Sequence, residues 1–147
     1  MHEWAGAVAD KDSVEVVYWN NGLWDVLRLF GDEPFCDIDY YGKTLVRIYK
    51  RIKHLFPRAR VIFALNTSVK EEWASPDFTR INSDIELYNK EAVRVLTPYV
   101  DKIDDLYSVT QGFEDSMRVD WVHYNDEGSR ILADHVIRTI LDVMEQN

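Results

Sequence analysis

The sequence predicts an α/β fold of the flavodoxin-like type, in which a parallel sheet has helices on both of its faces. Three short β-branched runs lie far apart in the 147-residue chain, and stretches with helical periodicity separate them. Two of the runs are almost continuously apolar, which is typical of strands that are buried on both faces of a parallel sheet. Strands that alternate with helices predict right-handed crossovers and a layered architecture.

The predicted strands are residues 14–19, 60–65 and 102–107. Three strands make a small sheet for helices of this length, because ordinary sheets have about 4 to 6 strands. The sequence contains no repeat, low-complexity tract or linker. It therefore predicts a single domain over residues 1–147.

Apolar residues at steps of three and four predict three long helices. The first helix ends before Pro57, the second ends before Pro98, and the third begins after Asn125. Asn125 is a suitable N-cap, with Asp126 and Glu127 in the positively polarised first turn. The apolar positions are Leu45, Ile48, Ile52 and Leu55; Phe78, Ile81, Ile85, Tyr88, Ala92 and Val95; and Leu132, Val136, Ile140 and Val143.

Charge and composition narrow the classes of partner. The formal net charge is −9, from 26 acidic and 17 basic residues, which disfavours nucleic acid and anionic membranes as partners. The single cysteine, Cys36, excludes an internal disulfide and fits a reducing compartment. No apolar run approaches the roughly 20 residues of a membrane span, and the first residues lack the pattern of a signal peptide. A cytoplasmic protein is therefore expected.

Asp120 and His123 form the first candidate for chemistry, in a predicted loop just before the last helix. This spacing suits an aspartate that orients a histidine so that its imidazole acts as a general base. A histidine in a loop is also commonly a solvated or capping residue, and both interpretations stay open. No second His or Cys lies at the spacing of zinc ligands, so no metal or cofactor is expected.

A second candidate is the polar segment Asn20-Asn21-Gly22, which follows the first predicted strand. Reacting groups gather at the carboxyl ends of parallel strands. An Asn amide there could donate a hydrogen bond to a developing oxyanion. In a well-built site, such a bond stabilises the transition state by about 3 kcal/mol. The alternative is a polar turn, in which Gly22 takes a positive φ. Trp24 and Trp121 could wall a pocket beside it, although core packing is the usual role of such residues.

Four segments, in this order, resemble the SGNH (GDSL-type) hydrolase family over almost the whole chain. They are Asn20-Asn-Gly-Leu-Trp-Asp25, Asn82-Ser-Asp-Ile-Glu-Leu-Tyr-Asn89, Ile103-Asp-Asp-Leu-Tyr107 and Asp120-Trp-Val-His123-Tyr-Asn-Asp-Glu-Gly. The resemblance implies a flavodoxin-like fold and an esterase or acyl-hydrolase that acts on a small-molecule ester without a cofactor. It further implies that His123 is the base, Asp120 its orienting partner and Asn20 the oxyanion amide. The residues expected to line the cleft are Asn21, Gly22, Trp24, Ser68 and Trp121.

The nucleophile of the family is missing from this sequence. Family members carry a serine in a Gly-Asp-Ser motif after their first strand, upstream of the Asn segment, and no Gly-Asp-Ser occurs here. The resemblance therefore implies a domain that is incomplete at its N-terminus, where a signal sequence could also be lost. Ser13 is no substitute, because six or seven extended residues put it roughly 20 Å from Asn20. Ser68 is expected to line the cleft or cap a turn, and Ser129 to lie on the last helix.

An absent first strand would leave the apolar edge of residues 14–19 unpaired, which is a template for pairing with another chain. We therefore expect a symmetric homodimer through this edge. Three functions remain open: an esterase that lacks its first block, a non-catalytic relative that binds an ester or a glycan, and an assembly module completed by a strand from a partner. Little or no activity is expected from the chain alone.

Overall fold

The central sheet has three parallel strands. A computed structural model describes residues 7, 8 and 10–146. The strands, in spatial order, are β1 (Val16–Asn20), β3 (Arg60–Ala64) and β5 (Lys102–Asp104). Two short strands, β2 (Arg28–Leu29) and β4 (Phe78–Thr79), pair antiparallel in a separate two-stranded sheet. The predicted α/β class and the parallel order of the three main strands are confirmed.

Within the described residues, four α-helices connect and follow these strands. They are α1 (Ile38–Leu55), α2 (Asn82–Leu96), α3 (Leu106–Gln111) and α4 (Asp126–Glu145), with short 3₁₀ helices at Glu71–Trp73 and Asp115–Met117. The predicted cap of α4 is confirmed, since the Asn125 side chain accepts the backbone N–H of Gly128 at 3.0 Å. In the described part of the chain, no helix is long and apolar enough to pass through a bilayer.

Helices cover both faces of the sheet. Successive side chains of a strand point to opposite faces, so Val61 and Phe63 of β3 pack with α1 and α2 in the main core. Trp19 of β1 joins them, with its ring centroid 4.6 Å from that of Phe63. The opposite face of the sheet is covered by α4, which buries Thr139 and Val143.

A buried carboxylate holds α4 against the sheet. Asp104, at the end of β5, is only 2% exposed. Its oxygens accept hydrogen bonds from the Tyr18 hydroxyl at 2.6 Å, His135 Nε2 at 2.7 Å and the Thr139 hydroxyl at 3.3 Å. Burial, together with the bond to Asp104, raises the pKa of Tyr18. One side chain thus connects β1, β5 and α4.

Two predicted element boundaries are wrong. The third strand ends at Asp104, because the Asp105 side chain accepts the backbone N–H of Ser108 at 3.0 Å and starts α3. Residues 106 and 107 are therefore helical. The second long helix begins at Asn82, and Phe78 lies in β4, where its ring packs near two tryptophans. The apolar spacing of Phe78 and Ile81 therefore matched a helix by chance.

Within the described residues, β1 forms sheet hydrogen bonds only with β3, so its other edge has no strand neighbour. The covering helix α4 also exposes a stripe of apolar side chains, Ile137, Leu141 and Met144, at steps of four and three residues. Of these three residues, Met144 lines a pocket with residues 12–15, just before β1.

Candidate active site

Asp120 and His123 form a rigid pair in the loop before α4. Asp120 Oδ2 lies 2.7 Å from His123 Nδ1, and its Oδ1 accepts the backbone N–H groups of Val122 and His123, both at 2.8 Å. Burial raises the pKa of Asp120, but the hydrogen bonds from the His123 ring and from these two N–H groups outweigh it. The pKa of Asp120 falls to about 2, so the side chain is a carboxylate at neutral pH.

This contact selects the tautomer of the His123 imidazole. With Nδ1–H donating to the carboxylate, the neutral ring carries its lone pair on Nε2. The His123 side chain is 74% exposed, and its Nε2 has no hydrogen-bond partner among the described residues. A neutral imidazole that is held at one nitrogen and open at the other is suited to accept a proton from a reacting hydroxyl.

The segment after β1 contains both the predicted turn and the candidate oxyanion amide. The Asn21 side chain accepts the indole N–H of Trp19 at 2.6 Å, and its backbone carbonyl accepts the Tyr41 hydroxyl at 3.2 Å. Asn20 is exposed, and its Nδ2 donates to Ala64 O at 2.9 Å, with a longer contact of 3.4 Å to Leu65 O. An amide nitrogen carries two N–H groups, so donation from Asn20 to a ligand would replace the longer bond to Leu65 O.

Gly22 is required by the turn that follows. Its φ is +140°, a conformation that side chains with a Cβ rarely adopt. A Cβ here would overlap the amide nitrogen of Asn66 and lie 2.8 Å from both Asn66 Oδ1 and the Tyr41 hydroxyl. The carbonyl of Gly22 accepts the N–H of Asp25 at 2.9 Å, which closes the turn. Asn21 and Gly22 therefore shape the turn, and neither lines the cavity beside His123.

A pocket of about 280 Å³ brings the two predicted segments together. It is lined by Leu23, Trp24, Phe78, Arg80, Asp120, Trp121, Val122 and His123. The Phe78 ring packs edge-on to both predicted tryptophans, with centroids 6.3 Å from Trp24 and 6.1 Å from Trp121. The structure therefore places Trp24, Trp121 and the Asp120–His123 pair around one small aromatic cavity.

The serines lie elsewhere. Ser68 is buried, and its hydroxyl lies 3.1 Å from the Thr110 hydroxyl and 3.2 Å from Arg118 Nη2. It lines a different pocket, of about 500 Å³. Ser13 lines another pocket, beside the start of β1 and β3, and Ser129 is exposed on α4. In the described part of the chain, no Ser, Thr or Cys lines the cavity beside His123.

Arg80 is the pocket residue that sequence reasoning missed. It is 4% exposed, although in the sequence it is only one of several polar residues between positions 75 and 84. On a helix, such a residue would simply face solvent, and this stretch was predicted to be helical. The structure places Arg80 directly after β4, at the back of the aromatic cavity. Within residues 7, 8 and 10–146, no group of three His, Cys, Asp or Glu side chains is arranged to hold a metal ion.

Comparisons with known proteins show the fold. No protein-family model matches the chain, and no curated protein sequence does. The chain is similar to the crystal structure of a lipase/acylhydrolase from Enterococcus faecalis, with a TM-score of 0.68 and 19% identity over 86% of this chain. It is also similar to the crystal structure of a structural-genomics target from Lactobacillus plantarum, with a TM-score of 0.66 and 16% identity over 97% of this chain.

The matched region is a part of each neighbour. The chain spans 60% of the Enterococcus faecalis structure and 72% of the Lactobacillus plantarum structure. The chain therefore shares the fold of these two structures over the region that matches.

Proposed function

We propose that this chain carries the general base, its orienting acid and the oxyanion amide of a site that hydrolyses carboxylic esters. The observation that carries the proposal is the 2.7 Å Asp120–His123 contact, which leaves Nε2 open beside an aromatic cavity. Leu23 and Trp24, in the loop that follows Asn20, line the same cavity. A structural neighbour named as a lipase/acylhydrolase supports the same reaction class.

Each residue has a defined role in this proposal. His123 Nε2 removes the proton from an attacking hydroxyl, and Asp120 holds the ring and stabilises the imidazolium that forms. Asn20 Nδ2 donates to the oxygen that becomes negative in the tetrahedral intermediate. The hydroxyl itself comes from residues outside the cavity described here, since no hydroxyl or thiol side chain lines it in the described part of the chain.

Chemical replacement of the missing hydroxyl tests this function. Release of p-nitrophenol from p-nitrophenyl acetate is measured for the purified chain, with and without 2,2,2-trifluoroethanol, a diffusible nucleophile that takes up the acetyl group as trifluoroethyl acetate. A positioned general base contributes about 10²–10⁴-fold in a complete site, so at least about tenfold stimulation by the alcohol is expected. His123→Ala should abolish the stimulation. His54→Ala removes another exposed imidazole, on α1, and should leave it unchanged.

Two outcomes would contradict the proposal. Equal stimulation in the wild type and in His123→Ala would show that His123 is not the base. Rapid hydrolysis without alcohol that depends on His123 would show that water or the His123 imidazole attacks the ester directly, so that no further hydroxyl is needed.

We further propose that the chain forms a symmetric dimer through the unpaired edge of β1, with the apolar stripe of α4 buried in the contact. Exposed strand edges and apolar patches both favour association. Sedimentation velocity should therefore give a dimer for the wild type and a monomer for Ile137→Glu, which puts a charge on the stripe. Leu87→Glu changes an equally exposed apolar residue on α2 and should remain dimeric. A monomeric wild type at micromolar concentration would rule out the dimer.

A further inference from the structure

Arg80 is a buried cation surrounded by aromatic rings. Its guanidinium carbon lies 5.1 Å from the ring centroid of Trp24, 5.1 Å from that of Trp121 and 5.8 Å from that of Phe78. Its Nε donates a hydrogen bond to the backbone carbonyl of Leu23. The side chain is therefore fixed in place at the wall of the cavity that also contains His123.

The positive charge of Arg80 has no counter-ion within the described residues. A guanidinium has five N–H groups, and only Nε–H has a hydrogen-bond partner, so the four on Nη1 and Nη2 remain available. Burial lowers the pKa of Arg80, which reflects the unfavourable removal of its charge from water. Arg28, by contrast, makes a two-pronged contact with Asp84, at 2.6 and 3.1 Å.

The acidic residue of the cavity is already engaged elsewhere. Asp120 is the only carboxylate among the cavity-lining residues, and its oxygens accept three hydrogen bonds, from His123 and Val122. Buried arginines are normally paired with an anion, because an isolated buried charge is costly. Contacts with aromatic faces offset part of this cost but leave the planar Nη edge without an acceptor.

We propose that Arg80 determines substrate specificity by binding an anionic group, a carboxylate or a phosphate, on the ester that enters the cavity. The guanidinium edge presents paired N–H donors that match the two oxygens of such a group. Trp24, Phe78 and Trp121 provide apolar walls for the rest of the ligand. This inference rests on the proposed function, since it names the substrate class for the same site.

A binding experiment tests the inference without any need for hydrolysis. Benzoate and its neutral counterpart benzamide are titrated into the full chain, and the fluorescence of the tryptophans beside Arg80 is followed together with calorimetry. Phenyl phosphate forms a second arm, which distinguishes phosphate from carboxylate recognition. We expect benzoate or phenyl phosphate to bind at least tenfold more tightly than benzamide, with the preference falling as salt is added.

Substitutions of Arg80 and of control residues test whether Arg80 causes the preference for anions over benzamide. Arg80→Gln should reduce the preference to less than twofold, and Arg80→Lys should retain part of it. Arg138→Gln removes an exposed charge on α4 and should leave it intact. His123→Ala should also keep the preference, because the imidazole is not the anion site.

Several results would overturn the inference: equal binding of benzoate and benzamide by the wild type, no anion binding, or a preference lost with His123→Ala but kept with Arg80→Gln. If Arg80→Gln does not fold, the wild-type preference and the Arg80→Lys variant still decide the matter. A failed esterase assay with a clear charge preference would reject the proposed chemistry and leave Arg80 as an anion site.

Discussion

Replacing Gly22 with alanine is expected to lower the free energy of unfolding by about 3 kcal/mol, from backbone strain and overpacking together. The residue has φ +140°, and an added Cβ would overlap the Asn66 amide. Asn66 cannot move aside easily, because it is fully buried and exchanges hydrogen bonds with Asn89. Its N–H reaches Asn89 Oδ1 at 2.9 Å, and its carbonyl accepts Asn89 Nδ2 at 3.0 Å.

Gly31 provides the matched control for this substitution. It also has a positive φ, +76°, but nothing lies within 4 Å of the position that a Cβ would occupy. Gly31→Ala should therefore cost only the backbone strain, about 1–2 kcal/mol. Urea unfolding followed by far-UV circular dichroism measures both variants. Equal losses would mean that the overlap with Asn66 is relieved at little cost.

Replacing Asp104 with alanine is expected to lower the free energy of unfolding by about 3 kcal/mol, because it removes the acceptor from a buried hydrogen-bonded cluster. The hydroxyl of Tyr18, the ring of His135 and the hydroxyl of Thr139 would all lose their partner. The half-buried Tyr18 and His135 can regain some hydration, which keeps the loss below that of a fully buried ion pair. The free energy of unfolding in urea is the measurement.

The neighbouring aspartate separates this effect from the mere loss of an acidic side chain. Asp105 is exposed and caps α3 by accepting the N–H of Ser108 at 3.0 Å. Asp105→Ala should lower the free energy of unfolding by about 1 kcal/mol, as expected for the loss of an N-cap. If both variants lose the same amount, the Asp104 cluster contributes no more than an ordinary cap.

The fold class could be predicted because the strongest signals in the sequence are long and periodic. The apolar residues of α1 and the capped start of α4 are recognisable at the correct positions. Short elements gave weaker signals. The two-residue strands β2 and β4 have no period of their own, and residues 106 and 107 continue the apolar pattern of β5 although Asp105 starts a helix there.

The site could be predicted only in part, for a physical reason. Asp120 and His123 are close in sequence, so their spacing alone indicates a hydrogen-bonded pair. Arg80 depends on tertiary packing, because its burial arises from rings that lie far from it in the chain, Trp24 and Trp121. No local pattern distinguishes such an arginine from one on a helix surface.

The parallel sheet also determines when during folding the site can exist. Register partners in β1 and β3, such as Asn20 and Ala64, are 44 residues apart, so no strand pairing forms from a local hairpin. Long loops must close, with a loss of chain entropy, before these contacts can form and stabilise the fold. Such topologies therefore fold slowly. The cavity joins the loop after β1 to the loop before α4. These two loops therefore come together late in folding, and a partly folded chain lacks the cavity between them.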